Sequence, residues 1–284
     1  MISMGKYQKK GYLVQEFKVF RLCDTNLKEI PFHYHDFHKL LLFLSGSGEY
    51  IIEGKTYPLQ PRDIIFVSAG EIHRPVLKPD LPYERIVIYV APDFLSRYER
   101  NGESLASCFQ LAKKHSSVMH VPEGTSHDLL YHMDRLEKAA HEQSFAHGLY
   151  AELLFIEFMI LLHRSLYSNE MLTTHEAHYD EKIQTLLRYI QEHLADELTI
   201  DRLAEQSYLS KYYLMRHFKK ETGYSLQQYI NSKRLLLARR LLDSTSAPVT
   251  DICYDCGFQD YSTFSRAFRQ MFHLTPTQYR SSRG

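Results

Sequence analysis

No run of about 18 apolar residues occurs in the 284-residue chain, so no membrane span is expected. The opening residues, Met1-Ile2-Ser3-Met4-Gly5-Lys6, lead into tyrosines, lysines and glutamines without the apolar stretch of a secretory signal. Four cysteines are too few for a disulfide framework at this length, and a reducing cytoplasm is the expected compartment. Neither sign of charge is in surplus, with 34 Lys and Arg against 34 Asp and Glu. The distribution is uneven: residues 180–284 hold 15 basic against 12 acidic side chains, and residues 1–179 hold 19 against 22. That asymmetry has the sign expected for a nucleic-acid partner but is small, so the placement of the basic residues carries more weight.

What is present is a degenerate repeat. Leu214-Met215-Arg216-His217-Phe218 recurs as Phe264-Ser265-Arg266-Ala267-Phe268, fifty positions later. Short apolar helix patterns precede the two copies, Leu203-Ala204 and Ile252-Cys253. Each unit reads as short helix, tight turn, second helix, the layout of a helix-turn-helix whose second helix enters the DNA major groove. Two units in one chain can occupy successive grooves.

The periodicity of the rest of this region predicts helices throughout. The first runs from about Tyr179 to Ala195, with Ile183, Leu186, Leu187, Ile190 and Leu194 inward. Thr199 and Ser210 are expected N-caps, and Gly223 is expected to end the helix Lys211–Glu221. Ser225-Leu226-Gln227-Gln228 reads as a capping box opening a long helix to about Leu242. A rod of about 17 residues is near 25 Å long, enough to hold two reading heads about one DNA turn apart. A second unit follows from Val249, and Thr275-Pro276 starts a last short helix.

Tyr229, Arg234-Leu235, Ala238 and Leu241-Leu242 resemble the linker helix of AraC/XylS-type transcription regulators. Gly257-Phe258, Phe264-Ser265-Arg266, Phe268, Thr275-Pro276 and Tyr279-Arg280 resemble the second unit and tail of that family. The resemblance covers residues 180–282 and implies a seven-helix domain that binds double-stranded DNA with both second helices in the major groove. Activation, with RNA polymerase as a partner, is one expectation for such a regulator; repression is the alternative the sequence leaves open. By matching positions the resemblance assigns base-facing roles to Tyr212, Met215 and Arg216, and to Tyr261, Ser262, Thr263, Ser265 and Arg266. Either arginine can reach guanine O6/N7 or a phosphate; the alternative is an ion pair within the domain. Lys211, Lys219, Lys220 and Arg269 suit phosphate contacts, which set register without reading sequence. Cys253-x-x-Cys256 lacks two further zinc ligands, and Cys253 stands where the first unit has Ala204, so a small buried residue accounts for it.

Residues 10–92 read as β structure. Apolar runs at Leu40–Leu44, Tyr50–Ile52, Ile64–Val67 and Arg85–Val90 alternate with turn signals at 45–48, 53–55 and 69–70. Pro58, Pro61, Pro75, Pro79 and Pro82 are placed in the connections. From about Ser126 the period changes to that of a helix, and a second helix, about His147 to Tyr167, is apolar around most of its circumference. Such a helix needs a second partner beyond the β domain: another copy of the chain, or a different part of its own subunit. The expected architecture is α+β in two domains. An effector-binding β-barrel with an N-terminal arm spans residues 1–125, a helical dimerisation segment 126–167, a polar linker 168–178 and the DNA-binding domain 179–284.

His33-Tyr34-His35 and the stretch from Pro61 to His73 resemble the two motifs of the cupin barrel. Residues two apart on a strand share a face, so His33 and His35 can both point inward, and with His73 they offer a three-histidine metal site. Metal-binding cupins carry a carboxylate where this chain has Lys39, which argues against a metal or other cofactor. The histidines are then hydrogen-bonding groups for a polar effector, with Arg74 available to a carboxylate or a sugar hydroxyl. Alternatively they satisfy one another in a packed interior. The expected function is a ligand-responsive regulator, not an enzyme, dimeric, with a carbohydrate as effector by family analogy alone. The arm, with Lys6, Tyr7, Lys9 and Lys10, is a candidate latch. A competing reading is a cupin metalloenzyme tethered to a DNA-binding module.

Overall fold

The structure is a computed structural model describing residues 13, 15–25, 28–78, 81–124, 126–168, 171 and 177–282. The expected arm (1–11), Pro79 and most of the expected linker lie outside the described residues. The chain divides into two compact units between His178 and Tyr179.

The N-terminal unit begins with strands β1 (Phe17–Asp24), β2 (His38–Ser45), β3 (Gly48–Ile52), β4 (Lys55–Pro58), β5 (Asp63–Val67), β6 (His73–Leu77) and β7 (Tyr83–Val90). Two short helices follow, α1 (Pro92–Ser96) and α2 (Ser107–Lys114), then β8 (Val118–His120), α3 (Ser126–His141) and α4 (His147–Tyr167). All strand pairings are antiparallel, in one sheet ordered β1-β7-β2-β5-β8 and another ordered β4-β3-β6. Side chains alternate between faces, and both faces of the larger sheet are covered. Leu40 and Leu42 of β2, Ile64 and Phe66 of β5, and Ile86 and Ile88 of β7 pack with Met133 and Leu136 of α3 and with Phe155, Phe158 and Leu162 of α4. Leu41 and Phe43, Ile65 and Val67, and Val87 point the other way, into a second core with Tyr50, Ile52 and Tyr57 of the small sheet. Strands buried on both faces show as the continuous apolar runs noted in the sequence.

The sheets do not close, which corrects the expected barrel. His33 pairs with His73 on the outer edge of β6, exchanging N–H···O bonds of 3.1 and 2.9 Å. Alternate residues of a strand present their polar groups to the same edge, so the next one offered there is Pro75, which has no N–H to give. Pairing stops. Two prolines expected in connections are therefore in strands: Pro75 inside β6, and Pro58 at the end of β4. Both strands lie at edges of the three-stranded sheet, where a missing donor is tolerated. The end of the expected linker is also held, since His178 and Thr56 exchange backbone bonds of 2.9 and 2.8 Å.

The C-terminal unit contains α5 (Glu181–Glu192), α6 (Ile200–Ser207), α7 (Lys211–Thr222), α8 (Leu226–Ser244), α9 (Val249–Asp255), α10 (Tyr261–Phe272) and α11 (Pro276–Ser281), seven helices among the described residues. Side chains of Asp180, Thr199, Ser210, Ser225, Asp260 and Thr275 accept from backbone N–H groups in the first turns they precede, and Ser225 and Thr275 form full capping boxes. Each such cap contributes about 1 kcal/mol. Asp180 as cap explains why α5 starts two residues later than the apolar pattern suggests. Gly223 ends α7 at φ 76°.

Candidate functional site

The second helices of the two motifs are built alike. In α7, Leu214 and Phe218 are fully buried, and in α10 Phe264 and Phe268 are fully buried. That anchoring leaves the remaining faces to solvent. Tyr212, Met215, Arg216 and Lys219 are exposed on α7, as are Ser262, Thr263, Arg266 and Arg269 on α10, with Tyr261 and Ser265 half-buried. Neither Arg216 nor Arg266 has a carboxylate at ion-pair distance among the described residues. Arg266 lies back along its own helix, donating from Nε to the Ser262 carbonyl at 3.3 Å and from Nη2 to Thr263 Oγ1 at 3.5 Å. Lys211 differs, because its ammonium pairs with Asp201 of α6. Tyr213, exposed beside Tyr212 and stacked on His217 at 5.2 Å, was not among the expected contacts.

The frame behind these heads centres on Arg234 of α8. Its Nε donates to the Leu194 carbonyl at 2.8 Å and its Nη2 to the Asp196 carbonyl at 2.7 Å, capping the chain beyond α5. Gly257, in the turn before α10, packs against both Arg234 and the Leu194 carbonyl at φ 85°, where a side chain has no room. One buried guanidinium thus ties the first helix, the long helix and the second reading turn.

The N-terminal unit contains a partly open cavity of about 160 Å³. One water needs ~10–15 Å³ of such space, so on the order of ten non-hydrogen atoms fit. Its polar walls come from His33, His35, Lys39, Tyr50, Arg85 and Tyr89, and its apolar walls include Leu22, Leu41, Pro75 and Val87. His33 and His35 are where the sequence suggests. His73 packs on them, with ring centroids 4.4 and 4.9 Å away, but does not line the cavity. Arg74 does not reach it: β6 alternates, His73 and Pro75 point inward, and Arg74 lies over the Phe32 ring at 4.4 Å and pairs with Glu29 at 3.2 Å. Lys39, noted in the sequence only for standing where metal-binding cupins carry a ligand, lines the cavity; Tyr50, Arg85 and Tyr89 were not foreseen. Lys39 and Arg85 each stand at the start of an apolar run, after His38 and Glu84.

Lys39 is buried, and its ammonium donates to Tyr50 Oη at 2.9 Å. Burial, with the Arg85 charge as a smaller contribution, brings its pKa down to about 7. Arg85 is balanced: its Nη1 lies 2.6 Å from Asp24 Oδ2 and donates to the Tyr83 carbonyl at 3.0 Å. Burial first, then the Lys39 charge, holds His73 well below the usual histidine range.

The histidine cluster bears on a metal. Donor nitrogens of His33, His35 and His73 lie within 4.8 Å of one another. The Nδ1 atoms of His33 and His73 face the carbonyls of Pro31 at 2.8 Å and Glu71 at 2.9 Å. A carbonyl only accepts, so both Nδ1 atoms donate, and each neutral ring keeps its lone pair on Nε2. The His73 Nε2 has no hydrogen-bond partner among the described residues. Three nitrogen donors are therefore possible, but the lining holds no carboxylate and presents Lys39 and Arg85 instead. Three neutral histidines can hold a divalent ion without a carboxylate, but here Lys39 stands beside them and weakens such a site.

Paired helical reading heads in one unit and a polar cavity in the other define a DNA-binding regulator with a sensory domain. Comparison with known proteins agrees. Residues 19–159 match the AraC-like ligand binding domain and residues 203–282 a helix-turn-helix domain. The HTH-type transcriptional activator RhaS of Escherichia coli (strain SMS-3-5 / SECEC) is 30% identical over 260 residues, 90% of this chain and 89% of that protein. RhaS of Shigella sonnei (strain Ss046) is 29% identical over 255 residues, 90% of this chain and 89% of that protein. The C-terminal domain of AraT, a response regulator from Geobacillus stearothermophilus, is 32% identical across 37% of this chain and 87% of that one, with TM-score 0.36. ToxT from Vibrio cholerae aligns over 94% of this chain and 98% of its own at 14% identity, with TM-score 0.37. The chain belongs to the AraC family, with an AraC-like ligand-binding domain followed by a helix-turn-helix DNA-binding domain.

Proposed function

We propose that this protein is a transcriptional activator whose N-terminal cavity takes a small polar effector and whose α7 and α10 read two successive major grooves. The observation that carries this is the combination of two helices, each anchored by one buried face, with a pocket of mixed polar and apolar lining on the same chain. Arg216 and Arg266 read bases; Lys219 and Arg269 bind phosphates. Lys211 does so only by leaving Asp201. The effector is carbohydrate-like, held by His33 and His35 together with Tyr50 and Tyr89, whose hydroxyl and ring nitrogen atoms suit sugar hydroxyls.

The active form is a homodimer joined through α4. Leu149, Leu153 and Ile160 fall along one face of that helix and are 60%, 57% and 40% exposed, a stripe at helical spacing that a second copy would bury. Cytoplasmic residence agrees with the finding that no described helix is long and apolar enough to cross a membrane. Selection of bound fragments from genomic DNA tests the reading. The expected product is a pair of short motifs one helical turn apart, and recovery of fragments without shared sequence would refute it.

A further inference from the structure

The geometry points to an acidic effector: the cavity takes a small sugar acid, with its carboxylate on Lys39, in preference to a neutral sugar. This rests on the reading of the cavity as the effector site and names the chemistry it selects. Three observations carry it. First, Lys39 is 8% exposed, on the cavity wall, and pairs with no carboxylate among the described residues; its hydrogen bond goes to the neutral Tyr50 hydroxyl. Burial without a counter-ion disfavours the ammonium form of Lys39, and an anion entering the cavity restores it. Second, Arg85 of β7 adds a second cation, and its own partner Asp24 does not line the cavity. Among the described residues the wall presents the Lys39 ammonium and the Asp24-paired Arg85 guanidinium, and no carboxylate lines it. Third, the space of about 160 Å³ is bounded by side chains of strands and of the segment around His33. Among the described residues no helix N-terminus faces it, so they supply no fan of backbone donors of the kind a phosphate dianion uses. One unpaired ammonium matches a monoanionic carboxylate. The tyrosine and histidine groups serve hydroxyls, and Leu41, Pro75 and Val87 face the apolar side of a sugar ring.

The test uses the full chain and matched pairs of probes: D-glucuronate with D-glucose, and D-galacturonate with D-galactose, with acetate as the bare carboxylate. Binding is read by melting-temperature shift and by calorimetry. At least one acid is expected to bind ten or more times tighter than its neutral partner and tighter than acetate. Lys39→Gln should erase that preference while the protein stays folded, since the change removes an unpaired charge and keeps a polar group for Tyr50. Lys39→Arg should retain part of it. Neutral sugars binding as well as the acids, or an acid preference that survives Lys39→Gln, would overturn the proposal while leaving the cavity as the effector site. If no probe binds and the cavity-filling variant Val87→Phe still responds to inducing growth conditions as the native protein does, the effector reading itself falls and this proposal with it.

Discussion

Two side chains hold most of the chemistry at the scale of single residues. Arg266 stands on the exposed face of α10 with only its own helix for company. If it reads a guanine, Arg266→Ala should weaken binding to the selected site by roughly 1–3 kcal/mol and leave random DNA nearly unaffected. Titration of both DNAs at one salt concentration checks this; equal losses would make Arg266 a phosphate contact. Lys39 gives a second prediction, through its acid–base behaviour. Its pKa falls from 10.5 to about 7 on folding. Between those values the unfolded chain holds the proton and the folded chain does not, so raising the pH stabilises the native state, by at most about 1.4 kcal/mol per pH unit. The melting temperature of the N-terminal unit should climb from pH 7.5 to 8.5, and the climb should be absent in Lys39→Met. The buried Cys108 thiol and the Tyr50 and Tyr83 hydroxyls, whose pKa values burial raises, work in the opposite direction, the thiol from about pH 9 and the hydroxyls from about pH 10. A slope unchanged by Lys39→Met would mean that this ammonium is better solvated than its 8% exposure implies.

Elements differ in how openly the sequence declared them. The helices were legible wherever a cap stood beside a stripe: Ser210, Ser225 and Thr275 each fix a first turn through local bonds, and α4 runs from His147 to Tyr167 as its apolar length suggests. Strands β1, β4, β6 and β8 were not legible individually. They are short or half exposed, and their places are set by partners distant in sequence, as Phe17 opposite Val90 shows. The same reason hid Arg85 as a cavity residue. It looks like the polar start of an apolar run, after Glu84, until β2 and β7 are laid side by side. His33 and His35 were found although the segment that carries them is not a strand: of the two only His33 is bridged, to His73, and the pair still faces one way. Arg74 misled because sequence adjacency to His73 means the opposite face in a strand.

Two predictions belong to elements. Gly257 holds a left-handed turn against the Leu194 carbonyl and Arg234, so Gly257→Ala combines a conformational cost of roughly 1–2 kcal/mol with a clash. Urea unfolding of the full chain should show the C-terminal transition displaced to lower denaturant with the N-terminal one unmoved. A shift in neither transition would mean that this turn relaxes freely. The α4 stripe gives the other. Leu153 is more than half exposed, so Leu153→Glu should cost the subunit little and a dimer much, since paired copies would place two carboxylates in an apolar seam. Sedimentation should find a folded monomer; a variant as dimeric as the parent would move the interface elsewhere.

On the scale of the whole molecule, the question is whether the two units share free energy. Sensing requires that effector and DNA each prefer the same arrangement of the protein, because a ligand with equal affinity for both arrangements shifts nothing. The coupling is also reciprocal: if a cavity ligand raises affinity for the paired operator by some factor, the operator must raise affinity for the ligand by that same factor. A factor of about 5–150 is the usual range for such coupling. Operator titrations with and without a saturating sugar acid, set beside calorimetry of the acid with and without operator, measure the two factors independently. Equal factors above unity are expected, and Lys39→Gln should bring both to one together, because it acts on the ligand and touches no DNA contact. A ligand that fills the cavity while both factors stay at unity would leave the N-terminal unit as a dimerisation scaffold and the helix-turn-helix unit as a constitutive binder.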